Sequence, residues 1–275
     1  MKKIKLLILL VISLAFTSCI STKEIKYAQP SESLVINEEG LVPYNIQEYR
    51  VTKNDILKLD IVTTPKGDAA QFYSSLNANS AGVTVVSGES GTGNATLYFS
   101  GLKVDSKGDI NVFGIGYLKA EGKTLEEIAA VLQGKVNENF VEGKSEVRLN
   151  LNGITYYILG DIESTGLTGE KVSHTQTLNL YEAIAQNGGL NRTIDRKSVT
   201  IKRKLPEGIK TVKLDLTRED IMNSPYFYIQ NGDMIFLNTS PKAFFGFGNT
   251  PIQSITTAVS AITTALSIYL ILSRL

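Results

Sequence analysis

One cysteine and one histidine occur in the 275 residues. A single thiol cannot close an internal disulfide. Without a second imidazole or thiol there is no His/Cys metal site. Neither sign of charge is in excess: 28 Lys and Arg face 27 Asp and Glu. That balance gives no electrostatic footprint for nucleic acid or another strongly anionic partner. No G-x-S-x-G nucleophile elbow is present. His174 follows a strand-like run and reads as a surface or turn residue. Glu126-Glu127 and Glu219-Asp220 fall on predicted helix or loop surfaces, as solvated charge and not as a glycosidase pair. Asn187-Gly188-Gly189-Leu190 follows a predicted helix, so it caps a C-terminus and presents no helix N-terminus to phosphate. The expectation is a protein with no catalytic residues, no cofactor and no metal.

A uniformly apolar run of membrane-spanning length is also missing. The first candidate, Leu6–Phe16, has 11 residues and is too short. It follows the basic start Met1-Lys2-Lys3-Ile4-Lys5 and precedes Thr17-Ser18-Cys19. This order resembles a bacterial lipoprotein signal, in which cleavage leaves Cys19 as the lipidated first residue. Phe16 stands where such signals prefer Leu. Several acyl chains on one cysteine would anchor the protein durably, since one chain binds only marginally.

The second candidate, Ile252–Leu272, is 21 residues long, about 30 Å as a helix. No charge lies between Lys242 and Arg274, yet seven of the 21 residues are Ser or Thr. At 100° per residue, Gln253, Thr256, Thr257, Ser260, Thr263, Thr264 and Ser267 fall within one arc of about 120°. Ile255, Ala258, Val259, Ile262, Ala265, Leu266 and Tyr269 take the opposite arc. A hydroxyl face gains nothing from lipid. It fits a ring of helices around a water-filled lumen, a bundle packed through small residues, or a helix lying on the membrane surface. Surface helices are usually rich in Lys or Arg, and this one has neither.

Between the two ends lies enough chain for two domains of about 100 residues each. Ile20–Pro43 has weak periodicity and reads as a tether, or as a strap packed on a neighbour. Asn54-Asp55 marks a turn, and Leu57, Leu59 and Ile61 alternate as a strand does. Lys66–Ala95, rich in Ser, Gly, Asn and Ala, reads as a long loop, with a short strand at Leu97–Phe99. Ser106-Lys107-Gly108-Asp109 turns into a further strand. Thr124 and Glu127 form a capping box before Leu125, Ile128, Ala129, Leu132 and Val136 at helical spacing. Val147, Leu149 and Leu151 then alternate as a strand.

The same grammar recurs downstream. Tyr156–Ile162 reads as a strand. A helix beginning near Thr177 carries Leu180, Ala183 and Ile184 and stops at Gly188-Gly189. Strands follow at Ser198–Lys204 and Thr211–Leu216, joined by Pro206-Glu207-Gly208. Gly232-Asp233 turns into a last strand ending at Leu237.

This order resembles the outer-membrane polysaccharide export proteins, in which a polysaccharide export domain precedes soluble-ligand-binding β-grasp (SLBB) repeats. The first signature is carried by Tyr49-Arg50-Val51 with Asp55, Gly108-Asp109-Ile110, Gly116, Gly122, Thr124 and the helix Leu125–Leu132. The second is carried by Ile158-Leu159-Gly160-Asp161-Ile162, Gly166, Leu180–Ala185, Gly188-Gly189-Leu190 and the Gly232-Asp233 turn. Phe113 and Thr165 stand where the family usually has Pro, and one SLBB unit is evident.

The resemblance implies an α+β protein: signal peptide 1–18, tether 19–45, polysaccharide export domain 46–152 with loop 66–95, SLBB domain 153–240, and a C-terminal amphipathic transmembrane helix within 250–275. It implies a homo-oligomeric ring, an octamer in many members, anchored by lipid in the outer membrane of a Gram-negative bacterium with its bulk in the periplasm. Capsular or exopolysaccharide would leave through a barrel of the C-terminal helices, with the hydroxyl face inward. An inner-membrane co-polymerase would dock beneath. The alternative is a lipid-anchored periplasmic glycan-binding module without a pore.

Overall fold

The computed structural model describes residues 22–65, 101–151, 153–160, 168–244 and 251–273. The signal segment, Cys19, the loop 66–95, Leu97–Phe99, Asp161-Ile162, Thr165 and Gly166 lie outside them.

The first unit is built on an antiparallel sheet in the order β2-β1-β5, from Leu102–Lys103, Ile56–Pro65 and Phe140–Leu151. Alternation explains the long pairing of β1 with β5. Leu57, Leu59 and Ile61 sit opposite Leu151, Leu149 and Val147, so one face is apolar along its length. A hairpin of β3 (Asp109–Val112) and β4 (Gly116–Lys119) lies alongside. The helix α2 (Leu125–Asn139) starts where the sequence places its capping box. Thr124 Oγ1 accepts from the Glu127 amide at 3.2 Å, and Glu127 Oε2 accepts from the Thr124 amide at 2.9 Å. Its Ile128 and Leu132 join Val51, Leu57, Ile110, Val112 and Leu149 in one core. Gln133 fastens the helix to β5, bonding the Val147 amide at 2.8 Å and the Ser145 carbonyl at 3.1 Å.

The second unit is a five-stranded mixed sheet in the order β7-β6-β10-β8-β9. Its strands are β6 (Ile154–Gly160), β7 (Gly169–Ser173), β8 (Val199–Leu205), β9 (Gly208–Leu214) and β10 (Met234–Leu237). The last strand enters the middle, parallel to β6 and antiparallel to β8. Helix α3 (Leu180–Gln186) packs Leu180, Ala183 and Ile184 against Tyr156, Ile158, Ile201 and Ile235. It begins later than the sequence expectation near Thr177. Asn179 and Glu182 form the capping box that sets the start, and the Asn179 backbone is extended. Strand β7, which has a single apolar side chain, was not expected; it takes its structure from pairing with β6.

The N-terminal residues carry a short helix, α1 (Thr22–Ile25), and the last strand is followed by a second, α4 (Pro241–Phe244). The final element is α5 (Pro251–Leu272). Its helicity agrees with expectation, but its expected role as a transmembrane helix needs correction. Among the described residues, no helix is long and apolar enough to cross a membrane. Ser and Thr occupy seven of its positions, and each hydroxyl makes transfer of the segment into hydrocarbon less favourable.

Candidate functional site

Two features are candidates for a functional site: the course of the N-terminal segment, and the face of the last helix. Neither is a catalytic cleft.

Residues 24–47 lie along the second unit, and not along the first unit that follows them in the chain. Ala28 and Gln29 donate their amides to the carbonyls of Leu216 and Thr217 at 3.1 and 2.7 Å, and Gln29 accepts from the Glu219 amide at 3.1 Å. Past that point the partners are a single-turn 3₁₀ helix, Glu219–Asn223, and the arginine before it. Glu219 Oε1 accepts from the Ser31 amide at 2.9 Å, and Asp220 accepts from the Ser33 hydroxyl. Arg218 donates to both serine hydroxyls, at 2.8 and 2.6 Å. Asn223 bonds both backbone groups of Val35, at 2.8 and 3.0 Å. Further on, the Gln230 side chain reaches the Gln47 carbonyl at 2.9 Å. The pair Glu219-Asp220, expected to be solvated charge, is thus the latch of a strap. Arg218 beside Asp220 holds that carboxyl below the usual aspartate range.

The strap has two ends. At one, Glu24 and Ile25 share a pocket with Ser240 and Pro241, at the close of the second unit. At the other, Ile46–Tyr49 meet a groove between the two units, where Tyr228, His174, Leu125 and Asn150 also sit. The second unit therefore stands between the Glu24/Pro241 pole and the first unit. At the junction, Tyr49 and Asp55 form a half-buried pair. The Tyr49 hydroxyl and the Thr52 amide both donate to Asp55 Oδ2, at 2.5 and 2.7 Å. Burial pushes the Asp55 carboxyl above its ordinary value and the Tyr49 phenol well above its own.

The last helix makes its own accounting of hydroxyl donors. Thr264 Oγ1 and Ser267 Oγ donate at 2.8 Å to the carbonyls of Ser260 and Thr263, one turn back. Thr263 reaches Val259 and Ser260, and Ser260 reaches Thr257. Each proton is used within the helix, so the oxygen lone pairs are what the face offers outward. Thr256, Ser260, Thr263, Thr264 and Ser267 are exposed and Thr257 is half-buried. Gln253 belongs to the helix backbone, and its side chain lies outside the described residues. Along the same helix Val259, Leu266, Ile268, Tyr269, Leu270, Ile271 and Leu272 are exposed as well. An apolar surface of that extent needs lipid or another chain to cover it.

The remaining sequence candidates stay apart from one another. His174 is exposed on the groove rim. Glu126 and Glu127 are exposed, with Glu127 occupied by its cap. Gly188 and Gly189 take positive φ after α3, and the Gly189 amide closes on the Ile184 carbonyl at 3.0 Å. Among the described residues no group of three metal-ligating side chains exists. Sequence reasoning missed Arg218, Asn223 and the buried Arg203–Asp233 pair, since their partners are far away or wholly inside.

A comparison with curated proteins finds no match to the chain. Residues 43–152 match the family model described as polysaccharide biosynthesis/export protein. The match spans the whole of the first unit, from the end of the strap to the last residue of the β5 edge. That family is one of transport proteins, associated with the outer membrane in Gram-negative bacteria. The capped helix on its β1–β5 sheet thus lies in a stretch, residues 43–152, that is similar to polysaccharide biosynthesis/export proteins.

Proposed function

We propose that the protein is a ring-forming outer-membrane channel for capsular or exopolysaccharide, anchored by lipid on Cys19. Copies of Pro251–Leu272 would together form the wall of a helical barrel with Gln253, Thr256, Thr257, Ser260, Thr263, Thr264 and Ser267 inward. One observation carries this reading: Glu24 and Ile25 lie beside Ser240 and Pro241. Cys19 precedes Glu24 by five residues, a reach of at most about 18 Å. Pro251 follows Pro241 by ten. Both membrane-directed ends therefore leave from one pole, and a single bilayer surface can receive them. The second unit, β-grasp-like in its mixed sheet and crossing helix, stands next to that surface. The export domain points away from it, toward an inner-membrane co-polymerase.

A lone helix of this composition is a poor span. A ring changes the balance. Neighbours cover the flanks, lipid meets the apolar arc, and the hydroxyl arc meets water. Hydroxyl oxygens with their protons already engaged offer a passing glycan weak, exchangeable acceptors and no fixed charge. Eight copies are what the family resemblance suggests.

A cysteine placed at Ser273 tests the topology. In intact cells a membrane-impermeant thiol reagent should label it. Labelling only after permeabilisation would remove the barrel. The groove between the units, about 690 Å³ and lined by Tyr228, Gln176, Asn150 and Glu126, favours a second reading: a lipid-anchored glycan-binding module without a pore. Native mass spectrometry in detergent separates the two, since a monomer carrying sugar fits only the second.

A further inference from the structure

Two arginines are sealed inside the second unit, and only one has a counter-ion. Arg203, 1% exposed, is gripped by Asp233 through its Nε at 3.0 Å and its Nη2 at 2.7 Å. Arg196 is 4% exposed. Its Nη2 donates to the Leu190 carbonyl at 2.9 Å and its Nη1 to the Ile194 carbonyl at 3.4 Å. The Tyr27 ring of the strap lies over its guanidinium at 5.1 Å. Among the described residues, no carboxylate forms an ion pair with it, and its Nε has no hydrogen-bond partner. Buried charges are normally paired, because burial without a counter-charge is costly. A water molecule would satisfy the Nε and leave the charge uncompensated.

Arg196 lines the pocket at the membrane-directed pole, together with Arg192, Lys197, Glu24 and Ser240. The pocket holds about 250 Å³, room for several waters or one tetrahedral oxyanion with its ester arms. Two acidic groups are present, and both are engaged. Glu24 lies 3.6 Å from Lys197 in a solvent-exposed pair, and Asp195 accepts from the Lys197 amide at 3.0 Å. Three cations against two carboxylates leave the pocket positive. Guanidinium forks suit phosphate oxygens, giving directed bonds as well as charge.

We propose that this pocket takes the phosphate of an anionic phospholipid headgroup, which supplies the counter-ion that Arg196 lacks and joins the strap to the bilayer surface. The choice of a lipid over a free oxyanion rests on the reading above that this pole faces the membrane.

The test uses the full acylated chain in a neutral detergent. Short-chain phosphatidylglycerol, short-chain phosphatidylcholine and inorganic phosphate are each titrated, with adducts read by native mass spectrometry and the melting midpoint read in parallel. Phosphatidylglycerol should bind at least about tenfold more tightly than phosphatidylcholine and should raise the midpoint. The exposed pair of substitutions Arg192→Gln and Lys197→Gln should remove about tenfold of that affinity with the fold intact. Arg196→Met should abolish the selectivity; it removes a charge without a counter-ion but also the bonds to the Leu190 and Ile194 carbonyls, so its binding is compared with that of the exposed double variant. Equal binding of the two lipids overturns the proposal, and so does wild-type affinity in the double variant. Inorganic phosphate that binds as well as phosphatidylglycerol overturns the lipid assignment in favour of a free oxyanion. Electron-microscopic class averages of the same samples keep the two readings separate. Rings without lipid selectivity sink the pocket alone. Selectivity without rings sinks the channel alone.

Discussion

Gly160 and the Arg203–Asp233 pair set the limits of change at single positions. A Cβ on Gly160 would lie 2.0 Å from the Leu237 carbonyl oxygen, which is backbone and cannot turn aside. Gly160→Ala should therefore separate β6 from β10 and cost about 1–3 kcal/mol or more. Urea unfolding of the second unit reads that loss. Asp233 also accepts from the Gln230 amide at 2.9 Å, so it shapes the turn that feeds β10 while it neutralises Arg203. Asp233→Ala should cost about 3–5 kcal/mol, because it strands a sealed guanidinium. Combined with Arg203→Met, it should recover most of that loss by the same measurement. The sequence shows both residues, and Gly232-Asp233 reads as a turn. It does not show that Gly160 touches a strand 77 positions later, or that a surface-type residue such as Arg203 lies inside.

Among the elements, those made by near neighbours in the chain were legible. The box Thr124–Glu127 spans three residues, and β5 declares itself by strict alternation. The box Asn179–Glu182 is just as local, but the sequence reading started the helix near Thr177, and the extended backbone at Asn179 with its box places the start two residues later. The strap had no local signal, since its serines and glutamine are ordinary until Arg218 and Asp220 arrive beside them. Its latch gives a pH dependence with a definite sign. The Asp220 carboxyl is held below its ordinary value, so its contribution is complete above the unfolded value and fades as pH falls through the depressed one. Hydrogen exchange at the amides of Ala28, Gln29 and Val35 should quicken in that acid window. The export domain has the opposite slope from Asp55, whose carboxyl is raised by burial. That contribution is complete below the unfolded value and is lost as pH rises through the raised one. In the last helix, replacing Thr257, Thr263 and Thr264 by Val keeps volume and removes three of the seven polar side chains of the arc. Rings should still form in detergent while cell-surface polysaccharide falls. Loss of the rings themselves would mean that the hydroxyls serve helix packing.

At the scale of the whole molecule, the order of parts along the chain is not their order in space. The strap begins the described chain yet belongs to its last third, and the export domain between them is set off at the far end. Sequence reading could place the two membrane-directed segments at opposite ends of the polypeptide. The nearness of Glu24 and Ile25 to Ser240 and Pro241 depends on bonds such as Ser31 to Glu219, which join residues 188 positions apart. Such a closure has a timetable. The stretch synthesised first must wait for nearly everything else before it finds its seat, and contacts spanning so much chain form slowly. With the lipid anchor proposed above, the protein would already be tethered to a membrane while the seat for its own leading segment was still being threaded across. A chain cut short before Arg218 should keep its tether and its first unit, yet hang from the bilayer with nothing to fix its bearing.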